Sequence, residues 1–322
     1  MKTIVSCCMA LALFAAAPSP GSAGEASAPA PQRAAPKSAP DKGAPAPKAD
    51  RFMAQVRLGG LYFDNFFQAP EGAPRENVFG ATFEGGAAVR LRENAPLEGY
   101  VEGDYVVYQR FDPSRALALG VRSESRPHGY DVSVRLLNGR PSREIRDEFD
   151  RADVFALEAE YSYRATDDWE IIGFGEYRHE TFDLSPDKVN DVASLGGAVR
   201  YRGFGSRFSP ELGLRLGGRD VKDDNEDLSQ REAYLRLRWS PSRTVYLTLR
   251  YRRRSRDYSI ESPGAANFGR RDTRGQWVLT ADWKRGKSLV WNLYYAFQDS
   301  DSTRPQGRFK TQMLSLGLTH RF

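Results

Sequence analysis

Hydrophobic and polar residues alternate along most of the chain from Phe52 onward. The alternation comes in segments about ten to fifteen residues long, separated by clusters of Pro, Gly, Asp and Asn, and this rhythm is typical of β-strands joined by turns. No segment keeps a helical period. The pattern predicts fourteen strands, at residues 52–66, 77–91, 97–110, 115–124, 129–137, 153–164, 168–181, 191–202, 209–220, 231–240, 243–258, 273–284, 288–299 and 309–322.

The connections between these segments differ in length in a regular way. Those after even-numbered segments are mostly short, such as TDD and RGK, whereas those after odd-numbered segments are mostly longer and more polar, such as QAPEGAPREN and DVKDDNEDLSQ. Transmembrane barrels have short turns on one side of the membrane and long loops on the other. A soluble sandwich offers no reason for this segregation. The short connection DPSR after the third segment is an exception.

Nearly every segment has an apolar face, and the question is what covers it. A soluble β-protein would bury that face and turn the polar face to water, but the chain offers no helices or second layer to cover so many apolar faces. Closing an even number of hairpin-connected strands into a barrel also removes the exposed sheet edges. The eleventh segment shows the two faces clearly: Val245, Leu247, Leu249 and Tyr251 on one, and Tyr246, Thr248, Arg250, Arg252, Arg254 and Arg256 on the other.

Aromatic residues recur where the segments adjoin the short connections. They all occupy positions on the apolar face, and their nearness to the short connections places them at one level, as in the interfacial girdle of a membrane barrel. These residues are Tyr163, Trp169, Tyr201, Trp239, Trp283 and Trp291. The sequence therefore predicts an all-β fold, an antiparallel up-and-down transmembrane β-barrel of about 14 strands.

The stretch LSLGLTHRF at the end of the chain keeps leucine at alternate positions and stops on Phe322. It resembles the last strand of bacterial outer-membrane β-barrel proteins, in which the barrel-assembly machinery reads the pattern polar–x–Gly–x–x–apolar–x–aromatic. Ser315, Gly317 and Phe322 match this assembly signal, and His320 stands where an apolar residue is usual. The resemblance implies a place in the outer membrane of a Gram-negative bacterium, with outer-membrane lipid, lipopolysaccharide and the assembly machinery as partners. It implies no activity, because one fold hosts many functions.

The first fifty residues have a different composition. Lys2, the apolar stretch IVSCCMALALFAAA and the small residues of PSPGSA predict a signal peptide over residues 1–23, which would remove both cysteines, Cys7 and Cys8. Residues 24–50 are rich in Ala and Pro and predict a disordered periplasmic linker before a barrel over residues 51–322. The net charge of +5, with acids and bases mixed throughout, indicates no nucleic-acid partner.

If the apolar face meets lipid, the opposite face lines the interior, and its charges are sorted by segment. Segments eight to eleven place arginines there, with Glu211 and Glu232 opposing them: Arg200, Arg202, Arg215, Arg219, Arg236, Arg238, Arg250, Arg252, Arg254 and Arg256. Segments two, three, six and seven place carboxylates there: Glu84, Glu98, Glu102, Asp104, Glu158, Glu160, Glu170, Glu176 and Glu180. We therefore expect a basic wall beside or opposite an acidic one.

The sorted charges have two interpretations. In a water-filled interior they would favour the passage of small anions, and otherwise they would reach across the barrel, neutralise each other and close it. The first is favoured, because the arginines outnumber the nearby acids and an unpaired buried guanidinium is costly unless hydrated. The hypothesis is a passive diffusion channel for small polar, anionic solutes, without cofactor, metal or enzymatic activity.

Two other functions remain open. The start VRLGGLYFDNFF resembles that of barrels found with exopolysaccharide systems, which implies an accessory role in a polysaccharide or secretion pathway. An outer-membrane hydrolase is the other alternative, because His179 and Thr181 resemble the histidine and serine of barrel lipases, and Glu180 with Asp183 could imitate the acids of barrel proteases. Arg253 occupies a position on the lipid-facing side of its strand, where its guanidinium could bind a lipopolysaccharide phosphate.

Overall fold

The chain forms fourteen antiparallel strands in a computed structural model that describes residues 52–65, 68–70, 72–91, 97–125, 129–139, 152–182, 189–222, 227–260 and 267–322. The strands are β1 Phe52–Asp64, β2 Val78–Arg90, β3 Leu97–Tyr108, β4 Ser114–Ser125, β5 Tyr130–Gly139, β6 Ala152–Arg164, β7 Trp169–Phe182, β8 Val189–Tyr201, β9 Phe208–Val221, β10 Leu228–Trp239, β11 Val245–Tyr258, β12 Arg271–Arg285, β13 Leu289–Ser302 and β14 Phe309–Arg321. Single 3-10 turns, Gly205–Arg207 and Pro305–Gly307, precede β9 and β14. The predicted signal peptide and linker lie outside the described residues.

Each strand pairs with its neighbours in chain order, and β1 pairs with β14 to close the barrel. The predicted fold is confirmed. The predicted segments and the observed strands differ only at their ends: the tenth was expected at residues 231–240 and begins at Leu228, and the thirteenth was expected to stop at residue 299 and continues to Ser302. No helix among the described residues is long and apolar enough to cross a membrane.

The closing seam between β1 and β14 depends on a glycine. Arg57 of β1 lies over Gly317 of β14, where the Cβ of any larger residue would collide with the guanidinium. This position lets Arg57 Nη2 donate a hydrogen bond to Ser315 Oγ at 3.0 Å and Nη1 bind the Glu84 carboxylate of β2. One buried arginine thus ties together the last strand and the first two.

The outer surface of the barrel is an apolar band. Leu212 and Leu214 of β9 are each 63% exposed, whereas Glu211 between β8 and β10 is 2% exposed. Above the aromatic girdle, the outward positions of the described strands carry no charged or histidine side chain until the far end, where the first are Asp64, Arg115, Asp153, His179, Asp191, Asp220, Arg231, Arg253, Arg271, Asp299 and Lys310. Such a band is the surface that hydrocarbon covers in a membrane barrel.

The predicted girdle residues are at the end of the barrel where Phe52 and Phe322 lie, called here the girdle end. Trp169 lies opposite Tyr201 with ring centroids 4.8 Å apart, and Trp283 lies opposite Trp291. Trp239 lies opposite Phe208. The opposite end of the barrel carries the longer connections and is called the loop end.

Candidate functional site: the charged interior

The buried, charged face of the strands is the inside of the barrel. Phe174 of β7 and Tyr234 of β10 have ring centroids 6.2 Å apart, although β8 and β9 lie between their strands. The Arg215 guanidinium of β9 likewise reaches past β8 to the Glu176 carboxylate of β7 at 3.1 Å. Side chains can meet over an intervening strand only on the concave side of a curved sheet, so this face points inward.

The predicted basic residues occupy inward positions of β8 to β11, apart from Arg202, which directly follows β8. Glu211 is the centre of this basic wall. Its carboxylate lies 2.7 Å from Arg200 Nη2 and 3.0 Å from Arg236 Nη1. Arg238 Nη2 approaches it to 3.6 Å. One buried carboxylate therefore serves three guanidiniums.

Glu232, the second acid of the basic wall, is also shared. Arg254 Nη2 lies 2.9 Å from its carboxylate and Arg252 Nη1 lies 3.8 Å from it. Arg250 stands directly opposite Arg236 in the register of β10 and β11. Like charges in directly opposed positions repel each other, so this part of the wall holds positive charge at a cost in stability.

The basic wall is partly open to solvent. The side chains of Arg202 and Arg238, at the girdle-end mouth, are 44% and 37% exposed, and those of Arg215, Arg252 and Arg254, farther inside, are 13–14% exposed. The exposure of these last three inside a closed barrel means that water-accessible space adjoins them. A continuous water-filled interior stays a prediction.

The acidic wall is less purely acidic than the sequence indicated. The predicted carboxylates lie at inward positions, but several are accompanied by arginines that the sequence analysis did not single out. The pairs are Glu84 with Arg57, Glu98 with Arg90 and Arg122, Glu158 with Arg135, and Glu176 and Glu180 with Arg178. Glu102 and Asp104 are partly exposed, and Glu160 is buried.

The two walls lie side by side and meet at β7 and β8. Glu170 of β7 pairs with Arg200 at 2.9 Å and with Arg202 at 3.5 Å. The ion pairs described above join residues of one strand, of adjacent strands or of strands one apart. They therefore run along the wall, and none of them is a bridge across the interior of the kind that the closed-barrel interpretation required.

Apolar clusters inside the barrel were missed by the sequence analysis. The largest spans β12 to β14 and β1 to β3 near the loop end, and Phe111 of the short β3–β4 connection packs against it: Leu61, Phe63, Val78, Val106, Tyr108, Val278, Tyr294, Ala296 and Met313. Two smaller clusters lie on β4 to β7 and on β7 to β10. The sequence indicates such clusters by a local loss of alternation: in LYF at 61–63 and YVVY at 105–108, both the inward and the outward positions are apolar.

Aromatic rings position part of the basic wall. Tyr234 lies over Gly213, its register partner on β9, and Phe174 lies over Gly196 of β8. The Arg215 guanidinium carbon is 5.0 Å from the centre of the Phe174 ring, a distance at which a cation is attracted to an aromatic face. The Tyr234 hydroxyl donates a hydrogen bond to Glu211 at 3.2 Å.

The structure separates the residues of the suggested hydrolase site. His179 is on the outer face near the loop end, where its Nδ1 lies 3.0 Å from Asp191 Oδ1, and the Tyr177 hydroxyl donates to the same oxygen at 2.6 Å. Thr181 shares this outer face, but Glu180 points inward, and Asp183 lies outside the described residues. No group of three or more potential metal ligands occurs in the part of the chain that the structure covers. The absence of enzymatic activity stays a prediction.

The residues of the assembly signal belong to the closing seam. Ser315 and Gly317 accommodate Arg57, and Phe322 is exposed at the girdle end, with its backbone N–H donating to Ala54 O at 2.9 Å. His320 packs edge-on against the Phe322 ring at 4.6 Å between centroids. Recognition by the assembly machinery stays a prediction.

No family model matches the chain, and no curated protein matches it in sequence. Solved structures similar to it include OccAB3 of Acinetobacter baumannii (9% identity, 84% of this chain and 99% of that one, TM-score 0.47). Others are an anion-selective porin from Comamonas acidovorans (7%, 84% and 98%, 0.46) and OmpT of Vibrio cholerae (10%, 85% and 99%, 0.46). These likenesses are loose and carry no information on function.

Proposed function

We propose that this outer-membrane-type β-barrel is a passive diffusion channel for small polar solutes, with a preference for anions. The observation that supports the proposal most directly is the sharing of Glu211 among Arg200, Arg236 and Arg238. Glu232 is shared in the same way by Arg252 and Arg254. Glu170 of β7 is a third acid and binds Arg200 and Arg202. Since three acids serve at least six guanidiniums, the basic wall keeps a net positive charge.

The mechanism follows from where that charge lies. The guanidiniums of Arg238, Arg252 and Arg254 are at the surface of the interior space, where a small anion can replace part of their hydration. Rings of fixed charge set the ion selectivity of membrane pores in this way. The acidic wall carries its own arginines, so it opposes the basic wall weakly, and the interior as a whole attracts anions.

Neighbouring arginines on β11 provide a matched test. Arg252 faces the interior, and Arg253, the next residue, is exposed on the outer face. In planar bilayers under a KCl gradient, we expect the native protein to show an anion-selective reversal potential. Arg252→Gln combined with Arg238→Gln should reduce the ratio of chloride to potassium permeability by about threefold, because a pore's selectivity follows its lining charge. Arg253→Gln should leave the ratio unchanged.

Two results would contradict the proposal. If correctly folded protein gives no ion current, the proposal that it is a channel is wrong. A cation preference, or an equal change in selectivity in the Arg238→Gln, Arg252→Gln double variant and in Arg253→Gln, would contradict the role of the basic wall. The accessory and hydrolase alternatives gain no support from the described geometry and stay predictions.

A further inference from the structure

The outer face of β10, β11 and β12 carries an ordered set of residues near the loop end. The strand registers arrange them in three rows. The row nearest the loops is Arg231, Ser255 and Thr273, the next is Ala233, Arg253 and Gly275, and the third is Leu235, Tyr251 and Trp277. We call these nine residues the outer patch.

The middle row leaves a shallow recess around Arg253. Its two register partners are Ala233 and Gly275, the smallest side chains available. A Cβ at Gly275 would lie in ordinary van der Waals contact with the Tyr251 side chain, 3.7 Å from its hydroxyl, so Tyr251 borders the recess beside Arg253. The hydroxyls of Ser255 and Thr273 border the recess on the side of the loops.

An aromatic pair forms the membrane-ward border of the recess. The Tyr251 and Trp277 rings are 4.5 Å apart between centroids, and Trp277 is 44% exposed on the outer surface. Below them the outward positions are leucines, including Leu249 and Leu237. A ligand in the recess would therefore have its polar part among the guanidiniums and hydroxyls and its apolar part against the band that faces the membrane.

The two arginines of the outer patch, Arg231 and Arg253, are exposed and form no ion pair within the described part of the chain. Outward carboxylates lie at the borders of the patch: Asp257 beyond Ser255 on β11, and Asp299 on β13 opposite Gly275. Arg271, farther along the same face, differs because its Nε lies 3.1 Å from the Asp257 carboxylate.

The height of the patch matches a membrane interface. Arg231 is on the same strand as Trp239 of the girdle, and a tilted strand rises by about 2.5 Å per residue, so Arg231 lies roughly 20 Å above the girdle. The apolar band of outer-membrane barrels is about 25 Å tall. Arg231 and Arg253 are thus at the far edge of the hydrocarbon, where lipid headgroups begin.

We propose that the outer patch binds the phosphate group of an outer-leaflet phosphoglycolipid. The two guanidiniums supply charge-assisted hydrogen bonds to the phosphate oxygens, which arginine matches with its fork of donors. Ser255 and Thr273 offer hydroxyls to the same group or to the adjoining sugar, and Tyr251 and Trp277 contact the upper part of the acyl chains. This role is independent of the proposed channel function.

The experiment measures lipid retention by native mass spectrometry of the full-length barrel in detergent. The probe is diphosphorylated lipid A, compared with the same lipid after enzymatic removal of its phosphates. We expect the native protein to retain the phosphorylated lipid preferentially. Arg231→Gln with Arg253→Gln should reduce that retention by at least about tenfold, because two charged hydrogen bonds to the phosphate are lost.

Two further variants complete the test. Arg285→Gln removes an exposed, outward-facing arginine at the girdle end and should leave retention unchanged. Arg231→Lys with Arg253→Lys keeps the charge and should retain a large part of the binding. Equal retention of the two lipids by the native protein, or equal retention by Arg285→Gln and the double Gln variant, would overturn the proposal. The bilayer conductance of the double Gln variant should match that of the native protein.

Discussion

At the scale of single residues, large interior side chains lie where a neighbouring strand has glycine. Tyr234 rests over Gly213, and Arg57 rests over Gly317. The space left by the absent Cβ lets each side chain lie against the wall instead of projecting into the interior. This fit keeps the Tyr234 hydroxyl in hydrogen-bond contact with Glu211 and so helps to fix the basic wall.

Gly213→Val should therefore destabilise the barrel. The new Cβ would collide with the Tyr234 ring, and over-packing of this kind costs about 1–3 kcal/mol. Urea unfolding in lipid vesicles, followed by tryptophan fluorescence, measures the loss. Gly60→Val is the control, because Gly60 faces outward and has no atom within 4 Å of its Cβ position. Adding Tyr234→Ala to Gly213→Val should recover part of the stability, and equal losses in the two glycine variants would contradict this account.

Only part of this detail could be predicted from the sequence. Period-two alternation separates inward from outward positions, which is why the predicted arginines and carboxylates lie on the inner face. Alternation does not fix the register, however, and the register decides which glycine meets Tyr234 and which guanidiniums share Glu211. Arg57 and Arg135, which accompany the acids, were overlooked because they are the only basic residues of β1 and β5, and only the register places each beside a carboxylate of the adjoining strand.

At the scale of the strand, the outward positions behave as a single unit. Leu212, Leu214 and Leu216 of β9 are all more than half exposed. The outward positions of the adjoining strands are also apolar or glycine from the girdle up to Ala193 of β8 and Ala233 of β10. The sequence predicted this face well, because a period of two is a local property. It did not predict the apolar interior near the loop end, where both faces of a strand are apolar and alternation carries no information.

The outward face leads to a prediction that depends on depth. Leu214→Arg, near the middle of β9, should lower the free energy of unfolding in lipid vesicles by about 2–4 kcal/mol, since a guanidinium would be placed in hydrocarbon. Ser229→Arg is the matched control: Ser229 is also exposed and outward-facing but lies at the loop end of β10, where the cost should be at most about 1 kcal/mol. Equal costs at the two positions would mean that the leucine face does not meet lipid.

At the scale of the whole molecule, closure depends on the contact between the first and last strands. Arg57 and Ser315, which are hydrogen-bonded across the seam, are 258 positions apart in the chain. Contacts this distant in sequence form late in folding, because the entropy cost of ordering the intervening chain precedes the stabilisation that the contacts provide. Ser315 and Gly317 thus both match the assembly pattern and form part of the closing seam. The sequence analysis had no means of identifying Arg57 as their partner.

The first and last strands are neighbours in the closed sheet, and their ends meet at the girdle. The same barrel could therefore be formed by a chain that begins and ends at another turn. The Phe322 N–H bonds to Ala54 O at 2.9 Å, so a short linker can connect Phe322 to Phe52, and the resulting circular chain can be opened in the exposed turn between Trp239 and Val245. We expect this circular permutant, refolded into vesicles, to give a barrel with the native conductance and reversal potential. A permutant that inserts but conducts differently would show that strand order along the chain, as well as adjacency in space, shapes the interior.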